Sequence, residues 1–221
     1  MKYDVILFDA AETLFTTRGT VGEIYGEVAR KYGSAASPEE IQSAFVRQFR
    51  HAGPVTTDSE KTWWKDVVHR VFDDVGMFHN FDQFFEEVYD EFQDSRGWRL
   101  FPETRDVLTE LKQRKLQLGV ITNFDSRVYS VMRSLRILEF FDTVTISSET
   151  GFAKPHPGIF KAAIQATGVP ASRILYLGDS LEGDVRAGAA AGLNTILIDR
   201  HGRHPEAPSI QDLNQLLTRT S

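Results

Sequence analysis

The chain has 221 residues, a net charge of −6, 41% hydrophobic residues and no cysteine. That length holds one full core and a smaller lobe, and the apolar fraction excludes a disordered chain. The mild acidity, without a basic stripe, gives no electrostatic reason to expect nucleic acid, and the missing cysteines exclude a disulfide framework, a thiol nucleophile and a thiolate metal site.

The N-terminus runs directly into Tyr3-Asp4-Val5-Ile6-Leu7-Phe8. This run is too short for a membrane span and lacks a signal peptide's cleavage pattern, so the expected location is cytoplasmic, with no membrane partner. Val5 to Phe8 is a continuous apolar run, suited to a strand buried on both faces of a parallel sheet. Asp9 follows at the strand's end, where open α/β sheets bind ligands. The plainer alternative is that Asp9 or Thr13 caps a following helix.

From about Gly19 to Gly97 the pattern is helical throughout. Val21, Ile24, Tyr25 and Val28 share helical spacing, and Tyr32-Gly33 reads as a stop. Ser37-Pro38-Glu39-Glu40 opens a second helix, with a serine cap, proline at its first position and acids in its first turn. Asp58 or Ser59 caps a third helix through Trp63, Trp64, Val67, Val68, Val71 and Phe72. Phe81, Phe84, Phe85, Val88, Tyr89 and Phe92 mark a fourth. Aromatics at helical spacing usually fill a core, so Trp63 and Trp64 are read as packing residues; the aromatic surplus suits either a dimer face or a seam between lobes, and oligomeric state stays open.

After Leu100 strands and helices alternate. Pro102-Glu103-Thr104 opens a helix carrying Val107, Leu108 and Leu111, and Leu116 to Ile121 forms a strand ending at Thr122-Asn123. A helix through Val128, Met132 and Leu135 leads to a strand at Thr143–Ile146. Pro157 to Ala166 is helical, Ile174–Leu177 a strand, Gly183 to Ala191 helical, Asn194–Ile198 the last strand, and Ile210 to Leu217 a closing helix. The alternation predicts right-handed crossovers and a doubly wound, Rossmann-like parallel sheet with an inserted helical bundle. The expected division is a core of residues 1–16 and 98–221 and a cap of residues 17–97, hinged near Thr16–Gly19 and Ser95–Trp98.

Polar groups recur at the strand ends: Asp9, then Thr122-Asn123, then Lys154-Pro155-His156-Pro157, then Gly178-Asp179-Ser180 with Asp184. Singly, each has an ordinary explanation as a cap, a solvated lysine or a turn. Together, three carboxylates, a lysine and a hydroxyl on one sheet edge suit a hard cation and phosphoryl transfer. At this point the chain closely resembles the haloacid dehalogenase-like hydrolase superfamily, whose four motifs are met in order by these segments and whose cap domain sits where the helices are inserted. The Trp63-Trp64-Lys65-Asp66-Val67-Val68 run also resembles the helical-cap branch of that superfamily.

The resemblance implies a small phosphorylated substrate, a magnesium cofactor, and Asp9 as nucleophile forming an aspartyl-phosphate. Thr122, Asn123 and Lys154 would hold the phosphoryl oxygens. Asp9, Asp179, Asp184 and the backbone carbonyl of Ala11 would form the metal shell, Asp184 either as ligand or through its water.

One position departs from the pattern. Family phosphatases carry a second aspartate two residues after the nucleophile, as leaving-group acid and then as base, and here that place is Ala11. Three readings follow: a phosphatase in which Glu12 reaches the site or the substrate brings a good leaving group such as an acyl phosphate, Glu12 itself being more simply a solvent-facing or helix-start acid; a phosphonate-cleaving enzyme using Lys31, Lys61 or Lys65 from the cap as a Schiff base; or a non-enzymatic phospho-ligand-binding module. Halide release fits less well, because the acidic fourth motif is present. Arg18 is read as a solvated hinge arginine, and His156, between two prolines, as structural.

Overall fold

A computed structural model describes residues 2–52 and 59–219. Strand β1 (Val5–Phe8) is wholly buried and pairs in parallel with β4 (Gln117–Thr122) on one side and β6 (Ile174–Gly178) on the other. Beyond β4 lies β5 (Thr143–Ile146), and beyond β6 lie β7 (Asn194–Ile198) and β8 (Ser209–Ile210), giving the order β5-β4-β1-β6-β7-β8. All these pairings are parallel. The order reverses beside β1, and such switch points open a ligand crevice at the carboxyl ends of the strands. Side chains alternate across β1: Ile6 and Phe8 join the apolar cluster on one face, Val5 and Leu7 that on the other, as the two-residue period of a strand requires.

The crossover helices are α5 (Thr104–Gln113), α6 (Arg127–Ser134), α7 (Ser147–Thr150), α8 (Pro157–Thr167), α9 (Ala187–Ala190) and α10 (Asn214–Arg219). Two sequence expectations fail at the C-terminal end. Asn194–Ile198 is not the last strand, and the closing helix begins at Asn214, not at Ile210. Ile210 instead pairs with Ile198 and is fully buried. A two-residue strand is too short to display any periodicity.

Between the first two strands of the sheet stand α1 (Val21–Lys31), α2 (Pro38–His51), α3 (Glu60–Val75) and α4 (Phe81–Glu91). Both α1 and α2 open with a full capping box, Thr20 with Glu23 and Ser37 with Glu40, worth roughly 1 kcal/mol each. Ser59 occupies the N-cap position of α3 without a capping bond from its side chain, and Asp58 lies outside the described residues. Phe72, Phe78 and Phe84 meet edge to face at ring separations of 4.9–5.1 Å. Trp63 and Trp64 touch at 4.9 Å.

A feature the sequence pattern did not reveal joins this bundle to the sheet. β2 (Phe15–Thr17) pairs antiparallel with β3 (Trp98–Leu100), placing a two-stranded ribbon at the expected hinge. The Trp98 ring packs on Phe15 at 5.3 Å and on Phe92 at 5.7 Å, and its indole N–H donates to the Phe92 carbonyl at 3.2 Å. Arg18 is not simply solvated: its Nε donates to the Ser95 carbonyl at 2.7 Å, tying the two connections together. Among the described residues, no helix is long and apolar enough to cross a membrane.

Gly119 of β4 marks a close approach between neighbouring strands. A Cβ there would fall 2.6 Å from Leu7 Cδ2 and nearer still to Thr143 Oγ1. Gly119→Ala is therefore expected to destabilise the protein by about 1–3 kcal/mol through overpacking, read as a lowered urea midpoint at unchanged slope.

Candidate active site

The carboxylate of Asp9 emerges at the end of β1 and is 7% exposed. No helix follows it: Leu14 N–H returns to the Ala10 carbonyl at 2.8 Å, and the chain turns into β2. The N-cap alternative for Asp9 or Thr13 therefore falls. Lys154, between β5 and α8, reaches across the strand ends and donates to Asp9 Oδ1 at 2.6 Å and Asp184 Oδ1 at 2.6 Å. Its side chain is 7% exposed. Carboxylate oxygens of Asp9, Asp179 and Asp184 lie within 4.8 Å of one another, so the crevice gathers three acids around one ammonium.

Electrostatics follow from that imbalance. Burial pushes the Asp9 carboxyl up to about 6, Lys154 opposing and Asp184 adding to the rise. Burial, then the Asp9 and Asp184 charges, push Asp179 up to about 8. Burial alone would favour neutral Lys154, but the Asp184 and Asp9 charges outweigh it and hold the ammonium firmly protonated. An all-oxygen donor set short of positive charge fits a hard divalent cation.

Asp184 is fixed from three sides. Its Oδ1 also accepts from the buried Tyr176 hydroxyl at 2.5 Å, and its Oδ2 accepts from Ser180 N–H at 3.0 Å. It sits in a π-helical turn, Leu181–Arg186, which Ser180 caps by accepting from Gly183 N–H. The helix expected from Gly183 thus begins two residues earlier and in a wider form. Gly178 makes room, since any Cβ there would strike the Asp184 side chain. Tyr176 was missed by sequence reading, because a tyrosine inside an apolar strand reads as core. Its hydroxyl, also 3.2 Å from Lys154 Nζ, is the polar end that betrays it.

Thr122 is 3% exposed at the end of β4, and its Oγ1 accepts from Phe124 N–H at 3.3 Å. Asn123 spends its side chain on the Lys154 backbone, donating to the carbonyl at 3.0 Å and accepting from the N–H at 2.6 Å. It locks the lysine loop in place. Ala11 and Glu12 border the same cavity as Asp9. Glu12 is neither at a helix start nor free in solvent: it adopts a left-handed backbone in the turn and accepts from Thr16 Oγ1 at 2.6 Å. His156 caps α8 by accepting from Gly158 N–H at 3.0 Å and stacks on Phe152.

The cavity, about 1040 Å³, extends from Asp9, Thr122, Lys154 and Asp179 to the inserted helices. Trp64 lines it as well as packing. Its indole N–H donates to Asp125, which also accepts a bidentate pair from Arg127, and the guanidinium lies over the Trp64 and Tyr89 rings. Ser126 is held by Glu60 through its N–H and hydroxyl. Asp125 and Arg127 were not singled out from sequence, where Asp-x-Arg after a strand end reads as a turn. Lys31, Lys61 and Lys65 face elsewhere: their side chains are 41–56% exposed and paired with Glu87, Glu86 and Asp82 of α4. None of them lines the cavity.

A family model described as haloacid dehalogenase-like hydrolase matches residues 3–192. This chain belongs to the haloacid dehalogenase-like hydrolases. Its relatives in that family include haloacid dehalogenase-like hydrolase domain-containing protein 3 of Xenopus laevis, 30% identical over 217 residues, with 94% of this chain and 87% of that protein covered. The human protein of the same name is 29% identical, covering 90% and 82%. Among solved structures, a HAD phosphatase from Thermococcus onnurineus superposes with a TM-score of 0.71 at 22% identity over 100% of this chain and 98% of the other. The putative HAD-hydrolase YfnB from Bacillus subtilis, bound to magnesium, gives 0.77 at 21% over 99% of each. A dehalogenase gives 0.78 at 14%, covering 98% and 96%. At these identities the structural matches establish the fold of the family.

Within this hydrolase the buried ammonium is expected to hold the crevice together. In chelator, Lys154→Met should cost about 3–5 kcal/mol in chemical denaturation, because it strands buried carboxylates. Adding Asp9→Asn should return part of that loss. Strict additivity of the two substitutions would contradict the coupling.

Proposed function

We propose that this chain is a magnesium-dependent hydrolase of a small phosphorylated metabolite that works through an aspartyl-phosphate on Asp9. The observation that carries this is a buried carboxylate at a strand end, fixed by Lys154 and open to a large cavity. Residues 17–97 would act as a cap over a core of residues 1–16 and 98–221. A cytoplasmic location, with neither membrane nor nucleic acid as partner, belongs to the same proposal.

Asp9 attacks phosphorus, its Oδ–P bond forming as the P–O bond to the leaving group breaks. Lys154 offsets the charge of the incoming anion and keeps Asp9 aligned, since it is already hydrogen-bonded to that carboxylate. Thr122 offers its hydroxyl to a phosphoryl oxygen, and Asn123 secures the lysine loop against recoil. Water then attacks phosphorus and the acyl-phosphate P–O bond breaks, restoring Asp9 and releasing phosphate. Asp9, Asp179 and Asp184, with the Ala11 carbonyl, are the oxygens that would hold magnesium, Asp184 through the lone pairs that Lys154, Tyr176 and Ser180 leave. Bound there, the ion supplies positive charge that Lys154 alone cannot.

Proton transfer is the weak point. Ala11 presents a methyl where an acid would protonate the leaving oxygen, and the Glu12 carboxylate is engaged with Thr16. General acid–base help is worth roughly 10²–10⁴-fold, so turnover should favour leaving groups that depart as stable anions. The outward-facing, acid-paired cap lysines give no support to Schiff-base phosphonate cleavage.

Across phosphate esters graded by leaving-group pKa, rates with magnesium should fall steeply as that pKa rises. Ala11→Asp should flatten the slope, raising rates on poor leaving groups by about a hundredfold or more. A flat profile in the unmodified protein would show that some other group protonates the leaving oxygen. In thermal denaturation, magnesium should raise the Tm of the unmodified protein and leave that of Asp179→Asn nearly unchanged; equal shifts in both would remove Asp179 from the metal shell.

A further inference from the structure

We infer that the leaving group taken by this site is aromatic, so that the substrate class is an aryl phosphate whose ring lies against the cap. This rests on the phosphatase reading above and narrows it.

The cavity that begins at Asp9 and Ala11 is about 1040 Å³, at the upper end of small-molecule sites and far larger than a phosphoryl group needs. Its cap side is a wall of rings, among them Phe45, Phe49, Trp64, Phe85 and Tyr89. Three of these form a continuous stack: Phe45 on Phe49 at 5.5 Å and 19°, and Phe49 on Trp64 at 5.7 Å and 20°. Phe49 nevertheless remains 43% exposed. Ring area lining the same cavity as the Asp9 carboxylate favours a flat apolar group over a hydrated one.

Charge points the same way. Arg127 is neutralised by Asp125 and covered by two rings, and Lys154 is committed to Asp9 and Asp184. Arg99 and Arg203, the other cations lining the cavity, are exposed. Among the described residues, the guanidinium lying against the Trp64 ring is thus already compensated and offers no free charge to a second anionic group there.

The second, independent observation is Ala11. Without an acid, the leaving oxygen departs with its electron pair and takes its proton from solvent. A phenol, with pKa about 10, tolerates this; an aliphatic alkoxide, near water's value of about 15.7, does not. Among leaving groups that pass this filter, a small acyl group would leave the ring wall uncovered, whereas an aryl oxide lays a ring face against it. In the step itself the Asp9 Oδ–P bond forms, the aryl O–P bond breaks and phenolate leaves.

The test compares kcat/KM of the full chain with magnesium on naphthyl phosphate, acetyl phosphate, cyclohexylmethyl phosphate and an aliphatic bisphosphate. Naphthyl phosphate is expected to lead by about tenfold or more. Phe49→Ala should lower the naphthyl-to-acetyl ratio about tenfold, and Phe49→Leu, which keeps apolar bulk without a ring face, should lower it in the same sense. Acetyl phosphate leading, with the ratio unmoved in both variants, overturns the aromatic class and leaves Asp9 chemistry standing. The bisphosphate leading overturns it too, and assigns the cavity to Arg99 and Arg203. Absence of any turnover that Asp9→Asn abolishes would overturn the phosphatase reading and this one with it.

Discussion

One ammonium among three carboxylates, two of them buried and the third half-buried, sets the terms for the rest of this molecule. Lys154 binds Asp9 and Asp184 at 2.6 Å each, and Asp179 shares the same crevice, its carboxylate within 4.8 Å of theirs. Such a cluster is costly to bury. It persists because ordered elements carry its members: Asp9 follows the end of β1, Asp179 follows the end of β6, the loop pinned by Asn123 carries Lys154, and the π-helical turn beneath Tyr176 and Ser180 carries Asp184. A site with unmet negative charge has a reason to take up a cation.

The loop after β4 links this crevice to the inserted helices. Thr122 and Asn123 belong to the site, and Phe124 packs on Trp98 and Phe15 of the ribbon at 5.2 and 6.3 Å. Asp125, Ser126 and Arg127 hold Trp64, Glu60 and Tyr89 of α3 and α4. Six consecutive residues thus touch the crevice, the ribbon and the inserted helices. Any displacement of α3 or α4 would pull on the segment that carries Thr122.

Much of this was legible in the sequence because the signals are long or redundant. The run Val5–Phe8 reads as a central strand because it is buried on both faces, and Ser37-Pro38-Glu39-Glu40 reads as a helix start because cap, proline and acids agree. Asp9, Lys154, Asp179 and Asp184 were legible as a set because parallel topology sends all strand ends to one edge. What stayed hidden depends on contacts distant in sequence. The ribbon of β2 and β3 and the strand at Ser209–Ile210 are too short to show a period. Tyr176 and Asp125 look like core and turn until their partners are known, and Glu12 looks solvated until Thr16 is seen to hold it. The long stretch between Gly19 and Gly97 reads as helical throughout, but periodicity does not say how its aromatics divide between core and cavity wall.

The central chemical claim is a phosphoryl group carried on Asp9. Mass spectrometry of protein quenched in acid during turnover of phenyl phosphate with magnesium reads it directly. A base-labile phosphoryl adduct on the peptide containing Asp9, absent from Asp9→Asn, is the expected result. Turnover at a comparable rate with no adduct on that peptide, or with the adduct on another residue, would contradict it.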